Sequence, residues 1–446
     1  MAHKTIQAAE RRRRAPEPPA THSRRRPGGG AERVLTYTIV LFQISALVLL
    51  ALKSNPVDRQ ALILAAVFPL GTLALTMTLD RIWHIDRALL LMVLLLCSIG
   101  MVTLQDITQT ETARKQALFF IPSIYALVAA IVIVRRMTRW ESWSWAAMAV
   151  GVVLMLLPMA PVIGGWNNGA RNWVSLKSLG VDIGFQPSEF VKILMLVILS
   201  SAFAQKRGLK RMIPAIAYAM LMCLILLAVQ RDLGTLLIYF FLTLGMFYAA
   251  TSNLMLTGLG LAGGCVGAVG AYFMFDHVKK RVSIWINPWS DPIDSGYQIV
   301  QALIAISSGG TFGLGLGLGT PRMIPYYHTD FIFAAICEEF GILFAVLMLI
   351  IYCFIIMRGL KISLEATSAY HSLMAFGATL MLAVQTFVIV GGVTKLIPLT
   401  GVTLPFISAG GSSLISCMMQ VGILLGISSL NRQQRVRAMR EGAGAL

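Results

Sequence analysis

Apolar positions in this chain come in long runs rather than in alternation. Twelve such runs lie near 34–52, 60–79, 87–104, 117–134, 143–160, 187–204, 212–229, 233–250, 254–275, 331–356, 370–392 and 408–428. Each approaches the roughly 20 residues that a helix rising 1.5 Å per residue needs to cross a bilayer. Hydrocarbon offers no partner to a bare backbone amide, so such runs are forced into helices. The pattern predicts an all-α polytopic membrane protein with about twelve transmembrane helices. The gap at 251–253 carries no charge, so the eighth and ninth runs can also be read as one bent unit. Residues 1–33, rich in Arg, Pro, Gly and Ala, predict a disordered tail. They do not read as a cleavable leader, because no small-residue cleavage site follows the first apolar run.

Composition agrees: 57% of the 446 residues are hydrophobic and only 13% charged, where a soluble domain carries roughly a quarter. The net charge of +17 would suit a nucleic-acid binder, but its placement argues against one. The basic residues cluster between the apolar runs, at Arg11–Arg14, Arg24–Arg26, Arg135–Arg139, Lys206–Arg211 and Arg432–Arg440. Lys and Arg concentrate in cytoplasmic loops. With twelve spans and both termini cytoplasmic, the inner gaps also hold Arg81, Arg87, Arg358 and Lys361, and the short outer gaps are poor in such residues. The basic tail at 431–446 is placed to touch anionic lipid. Six cysteines, all inside apolar segments, show no paired spacing.

Two gaps are long, and this orientation puts both outside: 161–186 and 276–330. Long loops in compact proteins usually carry function. In the second, NPWSDPIDSGYQ spans Asn287–Gln298, and Asp291 stands between Ser290 and Pro292 on a turn. Such a carboxylate suits a general base if partial burial raises its pKa, or else is a solvated turn residue. The glycines of SSGGTFGLGLGLGT, at 307–320, match no nucleotide-binding spacing and read as close-packing or flexible backbone. HTDF at 328–331 opens the tenth run, which contains Glu338 and Glu339. Adjacent carboxylates cannot face one way on a helix, so one is expected to pair internally and the other to lie nearer a polar lining.

The sixth run begins QPSEFVK, with Pro187 at a natural helix start. Glu189 and Lys192 share a face there. With Arg171 of NNGARNWVSL, Lys192 suits either a pyrophosphate site or lipid anchoring by snorkelling. QRDLGT at 230–235 marks another outer boundary, and IPLTGVTLPFISAGGSS at 397–413 reads as a partly unwound start to the last span. The scattered histidines show no zinc-type spacing, and neither GxSxG nor HExxH occurs.

Taken together, GARNWVSL, QPSEFVK, RDLGT, NPWSDPIDSGYQIVQALIAISSGG, HTDFIFAAICEEFG and PLTGVTLPFISAGGSS resemble the SEDS family (shape, elongation, division and sporulation), which includes RodA and FtsW. They keep the family's order across roughly 87–428. The resemblance implies a peptidoglycan glycosyltransferase that polymerises lipid II at the outer face of the cell (cytoplasmic) membrane. It also implies a class B penicillin-binding protein as partner, within the elongation or division machinery. The family's essential loop aspartate carries over to Asp291, its motif basic residues to Arg171 and Lys192, and its polar motif positions to Glu189, Gln298, His328, Asp330, Glu338 and Ser412.

The family commonly has ten spans, which makes 34–79 an added hairpin before a core at 80–430. Arg231 stands where the family usually has Pro, Ile389 where Asn is common, and Ala409 where Tyr is common. The expected chemistry is proton abstraction from the acceptor sugar's 4-hydroxyl by Asp291, and inversion at the donor's anomeric carbon as undecaprenyl pyrophosphate leaves. Arg171 and Lys192 would neutralise the leaving charge. A divalent cation could assist, although no ligand cluster is visible. The competing reading is a flippase of the same lipid-linked precursor, with Glu338, Glu189 and Lys192 along the path. Against it stands the lack of an inverted repeat between the halves. A third reading is a non-catalytic scaffold for the same machinery.

Overall fold

The computed structural model describes residues 29–53, 57–108, 111–136, 144–167, 170–175, 177, 180, 184–205 and 208–444. Residues 1–28 of the expected tail, with Arg139, Lys206 and Arg207 of the basic clusters, lie outside these. Each expected apolar run coincides with a helix. The first four are α1 (Gly29–Lys53), α2 (Arg59–Trp83), α3 (Arg87–Ile107) and α4 (Glu111–Arg136). Then follow α5 (Ser144–Leu156), α6 (Pro187–Ala204), α7 (Ile213–Leu224), α8 (Leu233–Thr251) and α9 (Leu254–Met274). The last three runs become α12 (Ile332–Leu364), α13 (Ala369–Val393) and α14 (Gly411–Gly444). Eleven of these helices among the described residues, α7 taken together with the π segment that continues it to Gln230, are long and apolar enough to cross a bilayer, and the chain is a multi-pass membrane protein. The remaining one, α5, is short because Pro158 ends it in a 3₁₀ turn at Leu157–Met159.

The structure adds detail at several boundaries. The first helix starts at Gly29, inside the segment expected to be a tail, and α14 runs on to Gly444 through the expected basic tail. The eighth and ninth runs are two helices: Ser252 closes α8 in the left-handed conformation, and the Asn253 side chain caps α9 at Leu256 N.

The two outer gaps are not plain loops. Three strands form a small antiparallel sheet in the order β1 (Gly164–Asn167), β2 (Ala170–Ser175), β3 (Gly184–Phe185). Its register pairs Gly165 with Trp173 and Val174 with Phe185, and Val174 is buried beneath it. The gap at 276–330 contains α10 (Asp276–Ile286), a 3₁₀ turn (Pro288–Ser290) and α11 (Tyr297–Gly309), which packs on α12.

The helix pair with the most extensive contact is α4 with α14. A methyl group at Gly422 would come within 2.4 Å of the Leu127 carbonyl oxygen, so glycine is what permits this backbone approach. At the basic end of the bundle, Arg358 makes a bidentate pair with Asp86 at 2.7–2.8 Å, and Arg435 reaches Glu365 at 3.0 Å. Arg135 donates to Ser429 there. The charges that set orientation in the sequence thus also tie helix ends together.

α12 is continuous in outline but broken inside. Gly341 sits at φ 82°, ψ 168°, which no helix tolerates. The freed backbone groups are satisfied by the glycine-rich loop: Leu314 N donates to Glu338 O (2.9 Å) and Gly315 N to Glu339 O (3.0 Å). In return Ile342 N donates to Gly310 O (3.0 Å) and Leu343 N to Thr311 O (3.2 Å). The loop is spliced into the break, which satisfies the rule that irregular backbone at membrane depth must be sheltered by protein.

Candidate active site

Three surfaces converge at the end opposite the basic clusters: the small sheet, the α10–α11 region, and the segment 397–410 before α14. The hub is Asp232, at the turn where α7 unwinds through a π segment (Ile225–Gln230) and α8 begins. Its carboxylate caps α8 by accepting from Thr235 N (3.0 Å) and Thr235 Oγ1 (2.9 Å). It also accepts from Asn172 Nδ2 of β2 (3.0 Å) and from Gln186 Nε2 (2.9 Å). Gln186 N in turn donates to Ser412 Oγ at 3.2 Å, which fixes the start of α14 against the start of α6. One carboxylate therefore joins sheet, α6 and α8.

Arg281 projects from α10, where Nη1 donates to Leu399 O at 2.7 Å. Burial lowers its pKa, while the carboxylates of Asp232 and Asp330 act to raise it. Asp330 is held at the foot of α12, and burial raises its pKa to about 6 despite the Thr329 hydroxyl and Arg281. His328 has its pKa lowered by burial, so its imidazole is neutral near pH 7, and its carbonyl accepts from Ala409 N at 2.9 Å. Arg281, Asp232 and Asp330 thus form a mixed-charge cluster drawn from three elements.

Asp291 stands to one side of this cluster, at the end of the Pro288–Ser290 turn. Its carboxylate accepts from Ser295 N (3.1 Å), Ser295 Oγ (2.8 Å) and Asp294 N (3.2 Å), a turn closed by its own side chain. Gly296 N donates to Asp291 O at 2.9 Å, and α11, with Gln298 in its first turn, starts directly from this turn. The expectation that partial burial would raise the Asp291 pKa is not met. Donors from Ser295 and Asp294 lower it, assisted by Lys280, the residue before Arg281. Solvent reaches the group, so desolvation does not prevail.

Glu189 and Lys192 pair as expected, at 2.7 Å, but Lys192 is fully buried and also donates to Gln385 Oε1 at 3.0 Å. Snorkelling to lipid is therefore not its role. Gln385 continues to Thr403 O (2.9 Å), and Ser416 Oγ donates to Glu189 O (2.8 Å). Arg171 is near the cluster on β2, with Nη2 donating to Met159 O at 3.2 Å. Glu338 accepts from Thr320 N (2.9 Å) and Oγ1 (3.3 Å), while Glu339 has Asp106 and Lys53 as electrostatic neighbours. Both carboxylates are buried, Glu338 bonded through Oε1 alone and each leaving its Oε2 without a hydrogen-bond partner.

Asn172, Gln186 and Asp232 lie inside the motifs GARNWVSL, QPSEFVK and RDLGT without being singled out as site residues there, whereas Arg281 and Gln385 carry no local signal. Among the described residues, no three His, Cys, Asp or Glu side chains gather as a metal ion would require.

Residues 84–433 match the family profile of FtsW, RodA and SpoVE, described as cell cycle proteins. The peptidoglycan glycosyltransferase RodA of Mycobacterium tuberculosis is 33% identical over 371 residues, covering 77% of this chain and 78% of that protein. Stage V sporulation protein E of Bacillus subtilis is 34% identical over 363 residues, covering 78% and 98%. Among solved structures, a chain of a peptidoglycan synthase complex matches with a TM-score of 0.65 at 24% identity, over 78% of this chain and 99% of that one. The Thermus thermophilus rod shape determining protein RodA matches with a TM-score of 0.56 at 24% identity, over 78% and 98%. The matched residues begin where α2 ends, so the α1–α2 hairpin stands outside the shared part. From residue 84 onward, this chain belongs to the FtsW/RodA/SpoVE family.

Proposed function

We propose that this protein is a peptidoglycan glycosyltransferase that polymerises lipid II at the outer face of the cytoplasmic membrane, with Asp291 as the general base. The relatives at 33% identity carry that activity in their names. The observation that carries the assignment to a residue is the closed turn of Asp291. Three donors hold its carboxylate in one orientation beside a basic helix, and by lowering its pKa they keep it ionised at the cost of basicity. A base must be unprotonated and within reach of the proton it takes.

The acceptor's 4-hydroxyl loses its proton to Asp291 as its oxygen attacks the donor's anomeric carbon, and the bond to undecaprenyl pyrophosphate breaks with inversion. Lys280, beside Asp291, and Arg171 on the sheet supply positive charge toward the leaving pyrophosphate. Lys192, sealed between Glu189 and Gln385, serves to hold α6 against α13 rather than to touch the pyrophosphate.

Burial of Glu189, Lys192 and Glu338 on local partners speaks for a polymerase over a flippase, since a transport path needs such groups open to a lumen. A class B penicillin-binding protein is proposed as the crosslinking partner, in line with the synthase complex whose fold this chain shares. Other elongasome or divisome membrane proteins are proposed around it.

The test is polymerisation of purified lipid II, with and without a class B partner. Asp291→Asn should lower the rate at least about 100-fold, the contribution of a positioned base, with insertion and abundance unchanged. Polymer made by the variant at the wild-type rate would remove Asp291 from this role.

A further inference from the structure

The hairpin α1–α2 lies outside the shared family core, yet its outer end grips the loop that feeds the candidate site. We infer that Lys53, the last residue of α1, is a positioning residue for polymerisation: it latches the glycine-rich loop 310–320 to α3. The inference rests on the function proposed above.

The hairpin is fixed in register before it reaches the loop. Midway along α1, Gln43 Nε2 donates to Thr72 Oγ1 (2.9 Å) on α2 and Ser98 Oγ (2.7 Å) on α3, all buried. These two bonds of the buried Nε2 tie α1 to both neighbouring helices. At the end of α1, Lys53 Nζ donates to Leu316 O at 2.7 Å and lies 3.4 Å from Asp106 Oδ1. Leu316 belongs to the loop, and Asp106 to the last turn of α3.

The loop is shaped to receive the lysine. Gly317 sits at φ +62°, and a Cβ there would fall 1.7 Å from Lys53 Nζ and 2.6 Å from Asp106 Oδ1. Glycine therefore leaves the space in which cation and carboxylate meet. The same loop is spliced into the broken helix two residues earlier, through Gly315 N to Glu339 O. The Glu339 carboxyl in turn has both Asp106 and Lys53 as electrostatic neighbours. Lys53 thus ties Asp106 of α3 to the loop, which is itself joined to α12 by its backbone bonds. Beyond the latch, Thr320 is tied to Glu338 and Arg322 Nε donates to Ile107 O (3.3 Å). From there the chain passes to His328 and Asp330.

Without Lys53, Asp106 loses its cation and Leu316 loses its donor. The Lys53 side chain is 42% exposed against 6% for Asp106, so the consequence is local loosening rather than unfolding.

The experiment compares full-length wild type, Lys53→Met and Lys53→Arg in detergent or nanodiscs. Hydrogen exchange of peptides covering 310–320 is read alongside lipid II polymerisation kinetics. Lys53→Met should speed exchange at Leu314 and Gly315 about tenfold, the loss of one charge-assisted hydrogen bond, at an unchanged melting temperature. It should also raise KM about three- to tenfold with a smaller change in kcat, as expected when a substrate-positioning loop loosens. Lys53→Arg should restore both. Exchange that stays at the wild-type rate in Lys53→Met overturns the latch, whether or not the protein polymerises lipid II. Faster exchange with unaltered kinetics overturns the positioning role.

Discussion

At the residue scale, the instructive pair is Glu189 and Lys192. Their spacing of three on one helix face makes an ion pair legible in the sequence, but not its surroundings. The lysine's second partner, Gln385, is 193 residues away, and a contact across that separation leaves no local pattern. Its consequence reverses the expected role. A fully buried ammonium closed by a carboxylate and an amide oxygen is costly to unpair, by about 3–5 kcal/mol when one partner of a buried pair is removed. Lys192→Met should therefore lower the melting temperature sharply by leaving Glu189 alone, and Glu189→Gln combined with it should recover most of the loss. Thermal unfolding in detergent, followed by light scattering or tryptophan fluorescence, reads both. If Lys192→Met folds normally and only polymerisation falls, the lysine meets substrate after all. Asp291 shows the opposite balance. Its turn is readable from the flanking Ser290 and Pro292, whereas its ionisation is not. That depends on the amide of Asp294, the amide and hydroxyl of Ser295, and the solvent around the turn.

At the scale of elements, the helices are readable because lipid leaves an apolar run no other choice. What escapes is everything set by tertiary contact. Residues 164–185 lack the alternation that announces strands, and the tie of β2 through Asn172 to Asp232 is a tertiary contact with no local pattern. The break in α12 escapes for a similar reason. A lone glycine in an apolar run reads as tolerated, and only the loop at 310–315 shows why Gly341 must be one. A Cβ at 341 would lie 2.4 Å from Gly313 N and 2.5 Å from Thr311 O, both backbone atoms that cannot swing aside. Its φ of +82° adds strain on the order of 1–3 kcal/mol for any other residue. Gly341→Ala should therefore destabilise more than an alanine placed at an exposed glycine such as Gly267, around which a Cβ would meet nothing within 4 Å. Paired melting curves of the two variants check this. Equal melting temperatures would mean that the splice of loop into helix does not form.

For the whole molecule, the decisive property is which way it faces. Counting α5, carried on to Met159 by its 3₁₀ turn, with the eleven longer helices, twelve crossings return the chain to the side it started from, and removing a two-helix hairpin would not change that. The hairpin can therefore be an addition to the family core without moving Asp291 across the membrane. The basic residues give the direction, since Arg135, Arg358, Arg432 and Arg435 gather at one end and tie α3, α4, α12 and α14 together there. Asp291 and the Arg281 cluster occupy the other end. In a background with the six native cysteines replaced, Ser290→Cys should react with a membrane-impermeant maleimide added to intact cells, and Arg440→Cys only after the cells are opened. A substrate whose sugars are displayed outside can be used only by the first arrangement. Labelling of position 440 from outside, with 290 protected, would place Asp291 in the cytoplasm and overturn outer-face polymerisation together with the basic-residue assignment on which it stands.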